Sequence, residues 1–140
     1  MFNVNLLIIG RPSKGCQKYA VKVKKNANAN IFFMDYIAQE DLFFILNRSS
    51  GIIQPSFIET PGLVALEAAA IGCNIVVSDV LPVKEYFKEH AIYCNPKSIS
   101  SIAKALKKLA ENTHMNDKLT EHIKNNYNWE KVLEPLLEII

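Results

Sequence analysis

The chain has 140 residues, of which 49% are hydrophobic and 21% charged, with sixteen basic and fourteen acidic side chains and a formal net charge of +2. One compact core is expected at this length, and the apolar content excludes a disordered chain. No apolar run reaches the roughly 18 residues of a spanning helix; the balanced charge, with only Arg11 and Arg48 as arginines, argues against nucleic acid as a partner.

In chain order, short apolar runs predict strands at Val4–Ile9, Ile31–Met34, Ile52–Gln54, Asn74–Ser78 and Ala91–Tyr93. Segments with helical spacing separate them at Lys14–Lys25, Gln39–Asn47, Leu63–Ile71 and, more briefly, Val83–Phe87. Strand runs without polar alternation suit a sheet covered on both faces, and the steady succession of strand and helix predicts a parallel α/β sheet with flanking helices. After Tyr93 only helices are expected. Ser98–Glu111 puts Ile99, Ile102, Ala103, Leu106, Leu109 and Ala110 on one face and Lys104, Lys107 and Lys108 opposite. A solvated lysine face is the plain reading, and contact with an anionic membrane surface the functional one. Asn116–Asn126 forms a further helix, and Trp129–Ile140 a last one bent at Pro135.

Cys16, Cys73 and Cys94 make no CxxC pair, and no basic n-region follows Met1. Free thiols in a reducing cytosol are therefore expected, with a catalytic cysteine as the alternative. His90, His114 and His122 lack metal-ligand spacing and read as surface histidines, so no metal site is expected.

The chemistry concentrates between Gln54 and Gly72. A strand ends at Gln54; Thr60 suits an N-cap and Pro61 the first helical position, so a helix is predicted from Pro61 or Gly62 to Gly72. The amides of Gly62, Leu63 and Val64 then point out of the helix end without intrahelical acceptors, and glycine lets an anion approach the backbone closely. The site follows the C-terminal end of a strand, where open α/β sheets bind ligands. Glu67 is the only charge between Glu59 and Asp79 and sits among Leu, Val, Ala and Ile, so burial is expected. A buried carboxylate needs donors, from the protein or from a ligand hydroxyl pair. A helix from Thr60 to Glu67 would climb roughly 10 Å. Two carboxylates that far apart flank an elongated ligand such as a sugar, a diphosphate and a ribose in a row. An inverting glycoside-hydrolase pair is the alternative, but it leaves the anion site unused.

The run Pro55-Ser56 … Glu59-Thr60-Pro61-Gly62-Leu63-Val64-Ala65-Leu66-Glu67-Ala68 … Gly72-Cys73-Asn74-Ile75-Val76-Val77-Ser78-Asp79 resembles the donor-binding motif of retaining glycosyltransferases of family 4, also called group 1. That motif has two glutamates with seven residues between them. The resemblance extends to Leu6–Ser13, Ile31–Ile37, Lys84–Phe87, Ala91–Pro96 and Tyr127–Glu130. It implies the Rossmann-like C-terminal domain of a GT-B glycosyltransferase, which would occupy residues 1–140. Glu59 would be the catalytic-site glutamate contacting the transferred sugar, and Glu67 would bind the ribose. The amides of Gly62, Leu63 and Val64 would hold the diphosphate or the sugar, and Tyr36 and Ile37 would lie near the base. The implied reaction moves a hexose from a UDP- or GDP-linked donor to the hydroxyl of an acceptor glycan or glycolipid, with retention. It serves surface polysaccharide or glycoconjugate synthesis, with no further cofactor. The implied location is cytoplasmic, free or peripheral at the inner membrane face.

Two departures from the family are expected. The N-terminal acceptor domain is not found, nor is the first strand of the C-terminal domain with the Arg and Lys that follow it. Arg11 and Lys14 could be that phosphate-binding pair, but the path from Gly10 to Ile31 fits the second strand better. In the resembling fold the missing strand lies between Val4–Ile9 and Ile52–Gln54. These two strands would pair directly, or a second copy or a separate N-terminal domain would complete the sheet, or the chain would be poorly soluble. The rival readings are a non-catalytic nucleotide-sugar or interaction module and half of a nucleotide-sugar epimerase, which would lack the paired-glutamate spacing.

Overall fold

The computed structural model describes residues 4–112, 114–128, 130, 131 and 133. The chain divides into two compact units, Met1–Leu42 and Phe43–Ile140. Among the described residues all strand pairings are parallel, but the strands fall into two sheets instead of one, the first of Leu6–Ile9 and Ile31–Met34, the second of Gly51–Gln54, Asn74–Ser78 and Ile92–Cys94. Of the three outcomes expected for the missing strand, direct pairing of the first and third strands does not occur among the described residues.

In the first unit β1 (Leu6–Ile9) pairs in parallel with β2 (Ile31–Met34), Leu6 opposite Ile31 and Ile9 opposite Met34. The crossover is α1 (Gln17–Lys25), with Lys22, Lys24 and Lys25 in its last turn, where their charge suits the helix dipole. It begins three residues later than predicted, because Ser13–Cys16 forms a turn closed by the Cys16 amide on the Ser13 carbonyl. These strands are not covered on both faces: Phe32 and Met34 are exposed, and α1 has no buried residue.

α2 (Gln39–Leu46) spans the boundary, and the second unit continues with β3 (Gly51–Gln54), α3 (Leu63–Ala70), β4 (Asn74–Ser78) and α4 (Leu81–Phe87). After a single 3-10 turn at Lys88–His90 come β5 (Ile92–Cys94), α5 (Ile99–Glu111) and α6 (Asp117–Asn126). β4 is central and buried at all five positions, as a parallel strand with helices on the sheet requires. Val76, Cys94, Ala105 and Leu109 form a core cluster, with Ile53, Ile92 and Ile102 packed against it. α3 packs on β3, β4 and α6 through small residues: Ala65, Ala68 and Ala69 are 1% exposed or less. Leu119 of α6 is wholly buried.

α5 is capped by Ser98, whose hydroxyl accepts from the Ser101 amide, and α6 by Asn116, which accepts from Leu119. The buried face of α5 differs from the predicted stripe. Leu109 of that stripe is buried and Ile102, Leu106 and Ala110 are half-buried, but Ile99 and Ala103 are exposed and Ala105, outside the stripe, is buried, so the inward face is turned toward Ala105. Lys104, Lys107 and Lys108 are exposed as expected. His114 is exposed as expected, whereas His90 and His122 are only partly exposed: their rings lie 5.2 Å apart, and His122 Nε2 is 2.9 Å from the Tyr86 carbonyl. The predicted helix over Trp129–Ile140 and its bend at Pro135 lie outside the described residues apart from isolated positions. No helix among the described residues is long and apolar enough to cross a membrane.

Candidate functional site

The loop 55–62 leaves the C-terminal end of β3 and delivers the chain to α3. It is tied to the end of β4, where the Ser78 hydroxyl donates to the Ser56 carbonyl. The helix starts at Leu63, later than the sequence indicated, and Thr60 is not its cap. The cap position belongs to Gly62, in the left-handed conformation at φ 73° and ψ 57°. Glycine reaches that region without the steric penalty a Cβ brings, so the chain can turn sharply there. The Gly62 carbonyl accepts from the amides of Ala65 (2.9 Å) and Leu66 (3.1 Å), which begins the helix. No side chain caps this end. The amides of Leu63 and Val64 come before the first intrahelical donor, and the side chains of both are exposed. The far end matches expectation: Gly72, at φ 95°, donates to Ala69 and Cys73 donates to Ala68, a Schellman stop.

Glu59 stands beside this helix start. A Cβ placed on Gly62 would lie 3.2 Å from Glu59 Cγ, 3.6 Å from its Cδ and 3.9 Å from Gln54 Oε1. Glu59 is half-buried and its Oε2 accepts from Gln54 Nε2 at 2.5 Å. Glu67 lies one turn into α3 and is half-buried, not buried as the sequence suggested, since the flanking alanines take the inward positions instead. The separation inferred from a continuous helix also lapses, because residues 59–62 are not helical. Gln54, Glu59 and Gly62 are thus brought together, with Leu63, Val64 and Glu67 on the following helix.

The other predicted residues belong to the first unit. Arg11 and Lys14 follow β1 and are exposed; Tyr36 and Ile37 follow β2, Tyr36 exposed and Ile37 half-buried. Because β1 and β2 are parallel, both loops leave the C-terminal end of that sheet. Burial pushes the Cys73 and Cys94 thiols above their ordinary range, reinforced at Cys94 by Asp79, so both favour the unreactive protonated form. All three cysteines are free. Among the described residues no group of three or more His, Cys, Asp or Glu is placed to hold a metal ion.

Sequence reasoning missed the role of Gln54. The available signal was a polar residue closing an otherwise apolar strand. It also missed the pocket of about 290 Å³ at the opposite end of β3 and β4, lined by Arg48, Ser49, Gly72, Cys73, Asn74 and Met115, which shares no residue with the site above.

Comparison with known proteins gives the fold and the family. The serotype-specific mannosyltransferase WbdA of Escherichia coli is 30% identical over 106 residues, covering 74% of this chain and 13% of that protein. The glycogen synthase of Mycobacterium tuberculosis is 30% identical over 81 residues, covering 56% of this chain and 20% of that protein. The chain therefore spans about an eighth to a fifth of these relatives. Two solved structures share the fold: sucrose-phosphate synthase from Thermosynechococcus elongatus (TM-score 0.79, 21% identity, 96% of this chain and 37% of that one) and TarM (0.77, 22%, 96% and 28%). The architecture is accordingly α/β of the GT-B glycosyltransferase type. The family model described as glycosyl transferases group 1 matches residues 2–128, a span that takes in β1 through α6 and the paired glutamates, and the chain belongs to that family.

Proposed function

We propose that this chain is the donor-binding C-terminal domain of a retaining hexosyltransferase that passes a sugar from a UDP- or GDP-linked donor to the hydroxyl of a glycan or glycolipid. The observation that carries the reading is the juxtaposition of the Glu59 carboxylate with the left-handed Gly62 at the uncapped start of α3. Carboxylates accept from hydroxyls and repel phosphate, whereas free helix-start amides attract phosphate. In this reading Glu59 takes a hydroxyl of the transferred sugar and Glu67 takes the ribose. The amides of Gly62, Leu63 and Val64 meet the diphosphate. Charge grows on the diphosphate as the glycosidic bond breaks, and fixed amide dipoles stabilise it without reorganising.

Relatives named as O-antigen mannosyltransferases, in Escherichia coli and Salmonella typhimurium, favour surface polysaccharide synthesis as the setting. We assign the chain to the cytoplasm, peripheral at the inner membrane face, where the exposed Lys104, Lys107 and Lys108 of α5 would meet anionic lipid.

Calorimetric titration with UDP, GDP and their hexose conjugates tests the reading. Glu67→Gln should weaken nucleotide and nucleotide sugar alike, and Glu59→Gln the nucleotide sugar only. Binding by both variants equal to that of the unmodified chain would overturn it.

A further inference from the structure

Gln54 Oε1 is buried and, among the described residues, accepts no hydrogen bond. The side chain closes β3, and its orientation is determined by chemistry. A carboxylate only accepts, so the group facing Glu59 Oε2 must be the amide nitrogen. The carbonyl oxygen is thereby turned away from Glu59, and it lies 3.9 Å from the space where a Gly62 Cβ would be. A buried acceptor without a donor is unfavourable, and such groups are uncommon in folded proteins.

We propose that Gln54 is a positioning and specificity residue, its NH2 holding the Glu59 carboxylate beside Gly62 and its Oε1 accepting a hydroxyl of the same bound sugar. This rests on the reading of Glu59 as the sugar contact. Two acceptors on neighbouring side chains, with no donor left facing the ligand on Glu59, select a ligand that brings donors. A hexose ring presents adjacent hydroxyls and does so, while a phosphate does not. A side chain at position 62 would stand 3.2 Å from Glu59 Cγ and 3.9 Å from Gln54 Oε1, so glycine leaves both acceptors uncrowded.

The test compares Gln54→Leu, of similar volume, and Gln54→Glu, which sets a carboxylate against Glu59, with the unmodified 140-residue chain. Thermal melts establish that each variant is folded. Calorimetry with GDP and GDP-mannose, and with UDP and UDP-glucose, gives the gain in affinity that the sugar adds to the nucleotide. Gln54→Leu should cut that gain about ten-fold, in line with the loss of one buried hydrogen bond, and leave nucleotide affinity unchanged. Gln54→Glu should cut it further. An unchanged gain in both variants overturns the assignment of Gln54 alone. Equal losses for nucleotide and nucleotide sugar also overturn it, since they signify a structural role. Absence of nucleotide-sugar binding by the unmodified chain overturns the functional reading and this assignment together.

Discussion

Gly62→Ala perturbs the backbone and the site at one atom. Alanine in the left-handed region costs roughly 1–2 kcal/mol. Alanine also restricts the unfolded chain, which returns about 0.4–1 kcal/mol. The net loss is then about 0–1.6 kcal/mol before any contact is considered. The new Cβ would stand 3.2 Å from Glu59 Cγ, so the glutamate must give by a few tenths of an ångström. Urea denaturation followed by circular dichroism should show a lower midpoint at unchanged slope. Calorimetry should show weaker nucleotide-sugar binding. Gly62→Asn separates the two causes, since asparagine tolerates the left-handed region yet carries the same Cβ. It should recover much of the stability and little of the binding. Gly62→Ala more stable than the unmodified chain would refute the reasoning, because that gain is expected only where alanine is accommodated without strain.

Leu119 is wholly buried, and Leu119→Ala should lower stability by about 2–5 kcal/mol in the same denaturation assay; a smaller loss would mean that α6 is not firmly packed on α3. Burial, then Asp79 and Glu89, push the Tyr93 phenol from its ordinary 10 up to about 12. The folded state keeps its proton longer than the unfolded state, so this contribution is complete below pH 10 and is lost as pH rises toward 12. Tyrosinate absorbance should show a phenol titrating near 12 that is absent from Tyr93→Phe, while Tyr127, also pushed up by burial, keeps its late titration in that variant.

The second unit was legible because its signals agree. β4 is an unbroken apolar run, predicted as Asn74–Ser78 and found there, and Gly72 marks the helix stop it forms. The family motif located Glu59, Gly62 and Glu67 on the correct loop and helix. The start of α3 was misread because Thr60-Pro61 is a strong local signal for capping, whereas the structure places the turn at the more permissive Gly62. Glu67 was expected to be buried from its neighbours' composition, but burial depends on which face of α3 the alanines occupy. The break between the two sheets was legible only through the resemblance, which leaves out a strand between Val4–Ile9 and Ile52–Gln54; apolar runs alone identify strands without fixing their partners. Gln54 was hidden for a related reason: its value lies in a contact five residues away that no periodicity records.

The central claim is that the start of α3, with its two glutamates, holds a nucleotide sugar. Amide chemical-shift mapping by NMR during titration with GDP-mannose and UDP-glucose tests it most directly. The account predicts that one of these donors shifts the amides of Glu59, Gly62, Leu63, Val64 and Glu67 at saturation, and that inorganic phosphate at high concentration reproduces the subset at Gly62, Leu63 and Val64. Shifts confined to Lys104, Lys107 and Lys108, or to the Arg48 pocket, with the amides of 59–67 unmoved, would contradict it.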